Sequence, residues 1–320
     1  MKFENKPIVA YVPHGIDSRL FFPIEVGSSD YTEMLHVRNQ IFGSKADSIK
    51  FVLFYNSRNI RRKMVSDIII AYRAFCDEYF KGRELDVALL LHTQPVDENG
   101  TNLPEVIEYL CPDRNIFFTP GMMDFRSLNI LYNIADVTVC IGSNEGWGLS
   151  STESLMAGTP VINNVTGGLQ DQMRFEDETG AWIDFKEDFP SNHTGRYKKH
   201  GLWAIPVFPS NRSIQGSIPT PYIFDDRVAF EDLAVAMKKW YDTKPDFRET
   251  AGILGRDWVM GEESHMSSDK LGEGMIQCID YMFDNWKPRN RFDISDTKNF
   301  KYKPKHSGIL VNETKMNYGK

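Results

Sequence analysis

Residues 135–164 read ADVTVCIGSNEGWGLSSTESLMAGTPVINN, and this stretch decides the fold. It contains an apolar run at 137–141, a turn with Gly146 and Gly148, a helical pattern, and a second apolar run that opens the segment PVINN at 160–164. Both apolar runs are continuous rather than alternating, which is typical of strands covered by helices on both faces. The stretch therefore predicts a strand, a helix and a parallel strand of an α/β sheet.

The same alternation extends along the chain from Phe51 to about Glu176. Further apolar runs predict strands at 51–55, 87–92 and 115–119. Apolar residues at helical spacing also predict helices besides the one after Gly148, at Val65–Tyr79, Leu103–Leu110, Phe125–Asn133, Phe230–Tyr241 and Lys270–Trp286. The pattern predicts a single Rossmann-like domain built on a doubly wound parallel sheet.

Changes in composition mark the predicted boundaries. The sheet domain is predicted at 25–185. Residues 186–228 are rich in Pro, Ser, Asn and Gly but also contain aromatic residues. They are too many for an ordinary connection and too apolar for a disordered linker, so they are predicted to form an ordered insertion. Residues 229–288 are predicted to be C-terminal helices of the same domain, and 289–320 a lysine-rich tail.

Composition narrows the class of protein. The 320 residues carry a formal net charge of −7, which argues against broad nucleic-acid binding through the phosphate backbone. The four cysteines form no CxxC pair and no zinc spacing, so a reducing, cytoplasmic location is expected and a metal site is not. No apolar run approaches the roughly 18 residues that a membrane span needs. We therefore expect a cytoplasmic protein without a transmembrane segment.

Glu145 and Glu153 lie eight positions apart around the glycine-rich turn. Ser150 to Glu153 fits the capping box, in which a serine begins a helix and a glutamate three residues later reaches back to it. The alternative is a ligand site. Gly146 and Gly148 follow the carboxyl end of a parallel strand, where ligands bind in open α/β sheets. A carboxylate there can accept hydrogen bonds from hydroxyl groups, and the sequence leaves both interpretations open.

A basic cluster, NSRNIRRK at 56–63, follows the first predicted strand. Arg58 and Lys63 suit a diphosphate, because arginine offers a bidentate fork and lysine a point charge. The alternative is a solvated basic turn. Arg61 and Arg62 are assigned to that class.

In this order, the pieces resemble the C-terminal half of a retaining glycosyltransferase of the GT-B fold, in the large family of group 1, or family 4-like, glycosyl transferases. The interdomain link of that family resembles PNGVDxxxFxP, and this chain has PHGIDSRLFFP at 13–23. The diphosphate-binding pair of the family matches Arg58 and Lys63. Its signature around two glutamates is matched by residues 135–171, and the resemblance covers about residues 11–184.

The resemblance implies transfer of a sugar from a nucleotide-diphosphate sugar, with retention of configuration and without a metal or other cofactor. Residues 1–24 would be link-like, and 25–185 would bind the donor. The implied catalytic residues are Arg58, Lys63 and Glu145. Glu145 would hold sugar hydroxyls and Glu153 the ribose, and the segment 117–121 would contact the base. The full implied donor-binding set is Arg58, Lys63, Phe118, Glu145, Gly146, Trp147, Gly148, Leu149 and Glu153.

The N-terminal Rossmann domain of that family binds the acceptor and precedes the link, whereas only twelve residues precede Pro13 here. The chain is therefore expected to be a donor-binding half, either a piece of a longer enzyme or one subunit of a split transferase. A third option, that residues 186–228 and the tail build an acceptor surface, is disfavoured because a cleft needs a facing wall. The rival function is a non-catalytic nucleotide-sugar-binding module.

Overall fold

The computed structural model describes residues 9–81, 86–183, 189–216 and 218–287. The chain divides into two units, Met1–Cys278 and Ile279–Lys320. The predicted tail at 289–320 and the predicted boundary between residues 185 and 186 lie outside the described residues. The candidate site and the elements that position it belong to the first unit.

Six parallel strands form the main sheet in the order β3-β2-β1-β4-β5-β6. Their bounds are β1 Phe51–Asn56, β2 Val87–His92, β3 Ile116–Phe118, β4 Val137–Cys140, β5 Val161–Asn164 and β6 Ala204–Val207. Strands β1, β2, β4 and β5 are buried along nearly their whole length, as their continuous apolar runs predict. The predicted Rossmann-like parallel sheet is confirmed.

Helices cover both faces of this sheet. Their bounds are α1 Ser29–Phe42, α2 Val65–Tyr79, α3 Leu103–Leu110, α4 Phe125–Ile134, α5 Leu149–Met156, α6 Gly168–Asp171, α7 Phe230–Asp242 and α8 Pro245–Met260. A further helix, α9 Ser268–Asn285, has no buried residue. Successive residues of a strand point to opposite faces, so each strand feeds two cores. Val52 and Phe54 of β1 pack in one core with α4 and α5. Phe51 and Leu53 pack in the other with α2 and α7.

The sheet reverses its winding between β1 and β4, which are neighbours although β2 and β3 separate them in sequence. The loops that leave the carboxyl ends of two such strands diverge to opposite sides and open a crevice. Here the loop after β1 carries the basic cluster at 56–63, and the loop after β4 carries Glu145. The fold therefore brings the two predicted motifs to one place.

Several elements were not predicted. Helices α1 and α8 lack a strong apolar stripe, since only Phe42 of α1 is buried and the buried residues of α8 include three small ones and Arg248 besides Trp258 and Val259. The segment 186–228, predicted to be an insertion, contributes β6 to the main sheet, so the sheet extends beyond the predicted boundary at residue 185. The same segment forms an antiparallel hairpin of β7 Asn211–Ile214 and β8 Phe224–Arg227.

Within the described ranges, no helix combines the length and apolar character that a membrane crossing requires.

Candidate active site

A backbone hydrogen bond connects the loops after β1 and β4 at the crevice. The amide of Ser143 donates to the carbonyl oxygen of Arg62 over 2.8 Å. The loop after β1 contains a 3₁₀ turn, Arg61–Lys63, which ends at Met64 in a left-handed conformation with φ of 56°. A non-glycine residue rarely adopts this conformation. It begins α2 here and leaves Lys63 beside the loop after β4.

The Glu145 carboxylate lies between two cations. Lys63 Nζ donates to Oε1 at 2.5 Å, and Arg62 Nη1 donates to Oε2 at 3.1 Å. Only 9% of the Glu145 side chain is exposed, so the carboxylate that both ion pairs share is shielded from solvent. The structure therefore brings the predicted residues Lys63 and Glu145 into direct contact.

Arg62 does not belong to the solvated class that the sequence predicted for it. Besides its contact with Glu145, it donates to the backbone oxygen of Asn144 at 2.8 Å. It is therefore a site residue that sequence reasoning missed. Its neighbour Arg61 is exposed, in agreement with the predicted solvated turn.

Arg58, the other predicted cation, pairs with Asp97 rather than with Glu145. Its Nε donates to Asp97 Oδ2 at 2.7 Å and its Nη2 to Oδ1 at 3.2 Å. The hydrogen bonds from Arg58, and a further one from the Asn99 amide, hold the pKa of the Asp97 carboxyl below its usual range. Asp97 was not predicted, although an acid in the turn that follows β2, at the same sheet edge, was a usable signal.

Glu153 lies inside α5 and points to the end of β1. Its Oε2 accepts from the Tyr132 hydroxyl at 2.7 Å and from Asn56 Nδ2 at 3.4 Å. Burial raises the pKa of the Glu153 carboxyl. No cation is among these partners, so the carboxylate is held by neutral donors beside the crevice.

The predicted capping box is wrong. Helix α5 begins at Leu149, its N-cap is Gly148, and no side chain caps it. Ser150 is already within the first turn and its Oγ lies 3.5 Å from Cys140 Sγ. A helix start without a side-chain cap leaves backbone N–H groups for other acceptors, which favours an anion at this end.

The glycine-rich turn has one exposed and one buried part. Gly146 is exposed and Leu149 is 47% exposed, while Trp147 is only 7% exposed. The indole of Trp147 donates to Thr152 Oγ1 at 2.8 Å and therefore packs inward. Any contact of Trp147 with a ligand is left to its backbone. The predicted base contact Phe118 ends β3 and is half-buried.

The link-like segment packs beside the crevice. The ring of His14 lies 5.8 Å from that of Trp147. Tyr11 donates its hydroxyl proton to Asp171 Oδ2 at 2.7 Å. Burial raises the pKa of the Asp171 carboxyl to about 7, against which the hydrogen bond from Tyr11 acts only in part.

Chemically, this crevice offers shielded carboxylates for hydroxyl groups and cations for an anion. Within the described residues, no group of three or more His, Cys, Asp or Glu side chains is placed to hold a metal ion.

The sequence model of the family described as glycosyl transferases group 1 matches residues 38–189. A comparison with curated proteins gives no match.

Solved structures share the fold. Sucrose-phosphate synthase from Thermosynechococcus elongatus is similar with a TM-score of 0.57 and 19% identity, over 85% of this chain and 52% of that one. A glycosyltransferase from Rickettsia africae gives 0.58 and 16%, over 86% and 57%. Anabaena Alr3699/HepE, solved in complex with UDP-glucose, gives 0.54 and 15%, over 83% and 56%.

At these identities the structural similarity shows a shared fold and no more. The chain spans about half the length of each of these proteins. The family match covers Arg58, Lys63, Glu145 and Glu153. The resemblance drawn from the sequence is thereby confirmed: residues 38–189 match the model of the glycosyl transferases group 1 family, and the chain shares its fold with glycosyltransferases of known structure.

Proposed function

We propose that the chain is the donor-binding half of a glycosyltransferase that uses a nucleotide-diphosphate sugar, retains the anomeric configuration and needs no metal. The family match and the UDP-glucose complex of the Anabaena protein support a nucleotide-sugar donor. The observation that carries the proposal is the Glu145 carboxylate, held by Lys63 and Arg62 at the point where the sheet reverses.

In this proposal the two glutamates bind different hydroxyl groups of the donor. Glu145 accepts hydrogen bonds from the sugar, and Glu153 accepts them from the ribose. Both carboxylates are already fixed by hydrogen bonds to neighbouring side chains, Glu145 by cations and Glu153 by Tyr132. A donor would therefore meet a site that is largely organised before binding.

The basic side chains serve the leaving group. Negative charge grows on the diphosphate as the bond to the sugar breaks, so cations placed there lower the barrier. Lys63 lies next to the proposed sugar site, and Arg58 joins it by exchanging Asp97 for a phosphate oxygen. The 56% exposure of the Arg58 side chain leaves room for this exchange.

The rest of the donor follows the predicted positions. The backbone of residues 146–149 faces the sugar and the diphosphate, and Phe118 lies towards the base. The acceptor binds to a further Rossmann domain, in the same chain or in a partner chain. Transfer to an acceptor with retained anomeric configuration, unaffected by EDTA, is the expected result when such a domain is supplied.

Calorimetric titration with UDP, GDP, ADP and their glucose conjugates tests the donor site. We expect one nucleoside diphosphate series to bind, and Lys63→Ala to weaken binding about tenfold or more because a cation on the diphosphate is lost. Glu153→Gln should weaken binding as well, through the ribose.

Arg61→Ala is the matched control, because it removes an exposed cation two positions from Lys63 and should change affinity less than about twofold. Equal affinities for wild type, Lys63→Ala and Glu153→Gln would contradict the assignment. Binding without turnover, with candidate partner domains added, would instead favour the non-catalytic module.

A further inference from the structure

The hairpin of β7 and β8 lies outside the segment that matches the family, and β8 contacts the loop that leads into Glu145. The amide of Asp226 donates to the carbonyl oxygen of Ser143 at 2.7 Å. One residue further, Asn144 Nδ2 donates to Asp225 Oδ1 at 3.3 Å. The backbone and the side chains of β8 therefore hold the two residues that precede Glu145.

A second contact ties the same loop to β5. Asn164 Nδ2 donates both to the Gly142 carbonyl oxygen at 2.9 Å and to the Asp226 carbonyl oxygen at 2.7 Å. Asn164 is fully buried at the carboxyl end of β5. The loop before Glu145 is thus fixed between a sheet strand and the hairpin.

The Asp226 side chain extends this network to the other side of Glu145. Its carboxylate is 1% exposed and accepts from Thr166 Oγ1 at 2.8 Å and from Asn192 Nδ2 at 3.1 Å. Two residues after Thr166, the amide of Gly168 donates to the Glu145 carbonyl oxygen at 3.2 Å. Asp226 therefore connects both segments that bracket the Glu145 backbone.

A buried carboxylate is costly unless donors surround it, and here they come from different parts of the chain. Arg212 of β7 adds a cation, with its Nε 3.5 Å from Asp226 Oδ1. If any one of these donors moves, the others still hold the carboxylate, so the loop before Glu145 stays in place. Such a network is suited to holding a neighbouring functional group in one position.

We propose that Asp226 is a positioning residue that fixes Glu145 for recognition of the donor sugar. The inference rests on the proposed function. It adds that the hairpin, which no part of the family match includes, sets how strongly the sugar moiety is distinguished from the nucleotide alone.

The test compares Asp226→Asn with wild type by calorimetric titration. The probes are the tightest-binding of UDP-, GDP- and ADP-glucose and the corresponding nucleoside diphosphate. Asparagine keeps the shape, but its amide group turns a donor either towards Thr166 or towards Asn192 and Arg212. We expect affinity for the nucleotide sugar to fall about tenfold and that for the nucleoside diphosphate to change less than twofold. In the Glu145→Gln background, Asp226→Asn should change the sugar affinity less than twofold.

Asp136→Asn is the control for a general loss of stability, since Asp136 is an acid of the loop before β4, at the opposite edge of the sheet, paired with Arg248. It should leave the ratio of the two affinities unchanged. If Asp226→Asn does not fold, Thr166→Val removes one hydrogen bond to the same carboxylate and should shift the ratio about threefold in the same direction.

An unchanged ratio in both Asp226→Asn and Thr166→Val, or an equal fall in both affinities, would overturn the inference. Failure of the wild type to bind any of the probes would instead contradict the proposed function.

Discussion

At the scale of single residues, three acids near the crevice differ in what surrounds them. Glu145 has two cations as partners. Glu153 and Asp171 each receive a hydrogen bond from a tyrosine hydroxyl instead, and burial raises the pKa of both carboxyl groups. A raised carboxyl pKa means that the ionised form destabilises the fold. Buried acids of this kind concentrate at functional sites.

Asp171→Asn is predicted to remove a dependence of stability on pH. Burial raises the folded-state pKa of Asp171 to about 7, above the 3.8 of an unperturbed aspartate, so the folded state binds the proton more tightly than the unfolded state. This contribution to stability is present at low pH and is lost as pH rises from about 4 through 7, on the order of 4 kcal/mol in total. The free energy of unfolding of Asp171→Asn relative to wild type, measured with urea, should therefore be higher at pH 8 than at pH 4.5. An equal difference at both values would contradict the prediction.

The residues of the site could be predicted from the sequence better than their contacts. Glu145 and Glu153 follow from the signature after β4, but the contact of Lys63 with Glu145 depends on the left-handed Met64, which no local pattern indicates. Asp97 and Asp226 were missed because one lies in a turn and the other in a short strand. Their importance comes only from partners distant in sequence.

At the scale of elements, the start of α5 depends on backbone conformation rather than on a side-chain cap. Gly148 has φ of 87°, in the left-handed region that favours glycine. A Cβ at this position would lie 2.4 Å from Leu169 Cδ2. Two separate features therefore favour glycine at this position: its left-handed conformation and the close approach of Leu169 from α6.

Gly148→Ala is predicted to lower the free energy of unfolding by about 2 kcal/mol, because a left-handed alanine costs roughly 1–2 kcal/mol and Leu169 must also move. Gly146→Ala is the matched control. It lies two residues earlier, has no positive φ, and meets no described heavy atom within 4 Å, so it should change stability by less than about 0.5 kcal/mol. Urea unfolding measures both, and equal losses would refute this account.

The predicted elements agree best where burial alone decides the pattern. The bounds of α2 and α3 agree with those predicted: α2 buries a long, regular apolar face, and the start of α3 is marked by its Asn102 cap and by a proline in its first turn. Strand β6 was missed because its residues stand in a segment rich in Gly, Pro and Ser. Its strand character comes from pairing with β5, which is a tertiary contact.

At the scale of the whole molecule, helices α7 and α8 complete the two layers around the sheet. Helix α7 packs in the core with α2, and α8 contributes Trp258 and Val259 to the core on the other face. The approach of α8 is close. A Cβ on Gly252 would lie 1.8 Å from the carbonyl oxygen of Gly158, in the turn after α5. At Gly252 the helix therefore lies directly against the backbone of this turn.

Gly252→Ala and Gly272→Ala make the same change in two helices and are predicted to have opposite signs. In α8, the methyl group must displace the backbone of the turn after α5, so the free energy of unfolding should fall by about 2 kcal/mol or more. In α9, no described heavy atom beyond the helix's own backbone lies within 4 Å of a Cβ on Gly272. Alanine there should stabilise by about 0.5–1 kcal/mol, because glycine disfavours a helix interior. A urea midpoint that does not fall for Gly252→Ala would show that α8 does not pack against the turn as described, and one that falls for Gly272→Ala would contradict the account of α9.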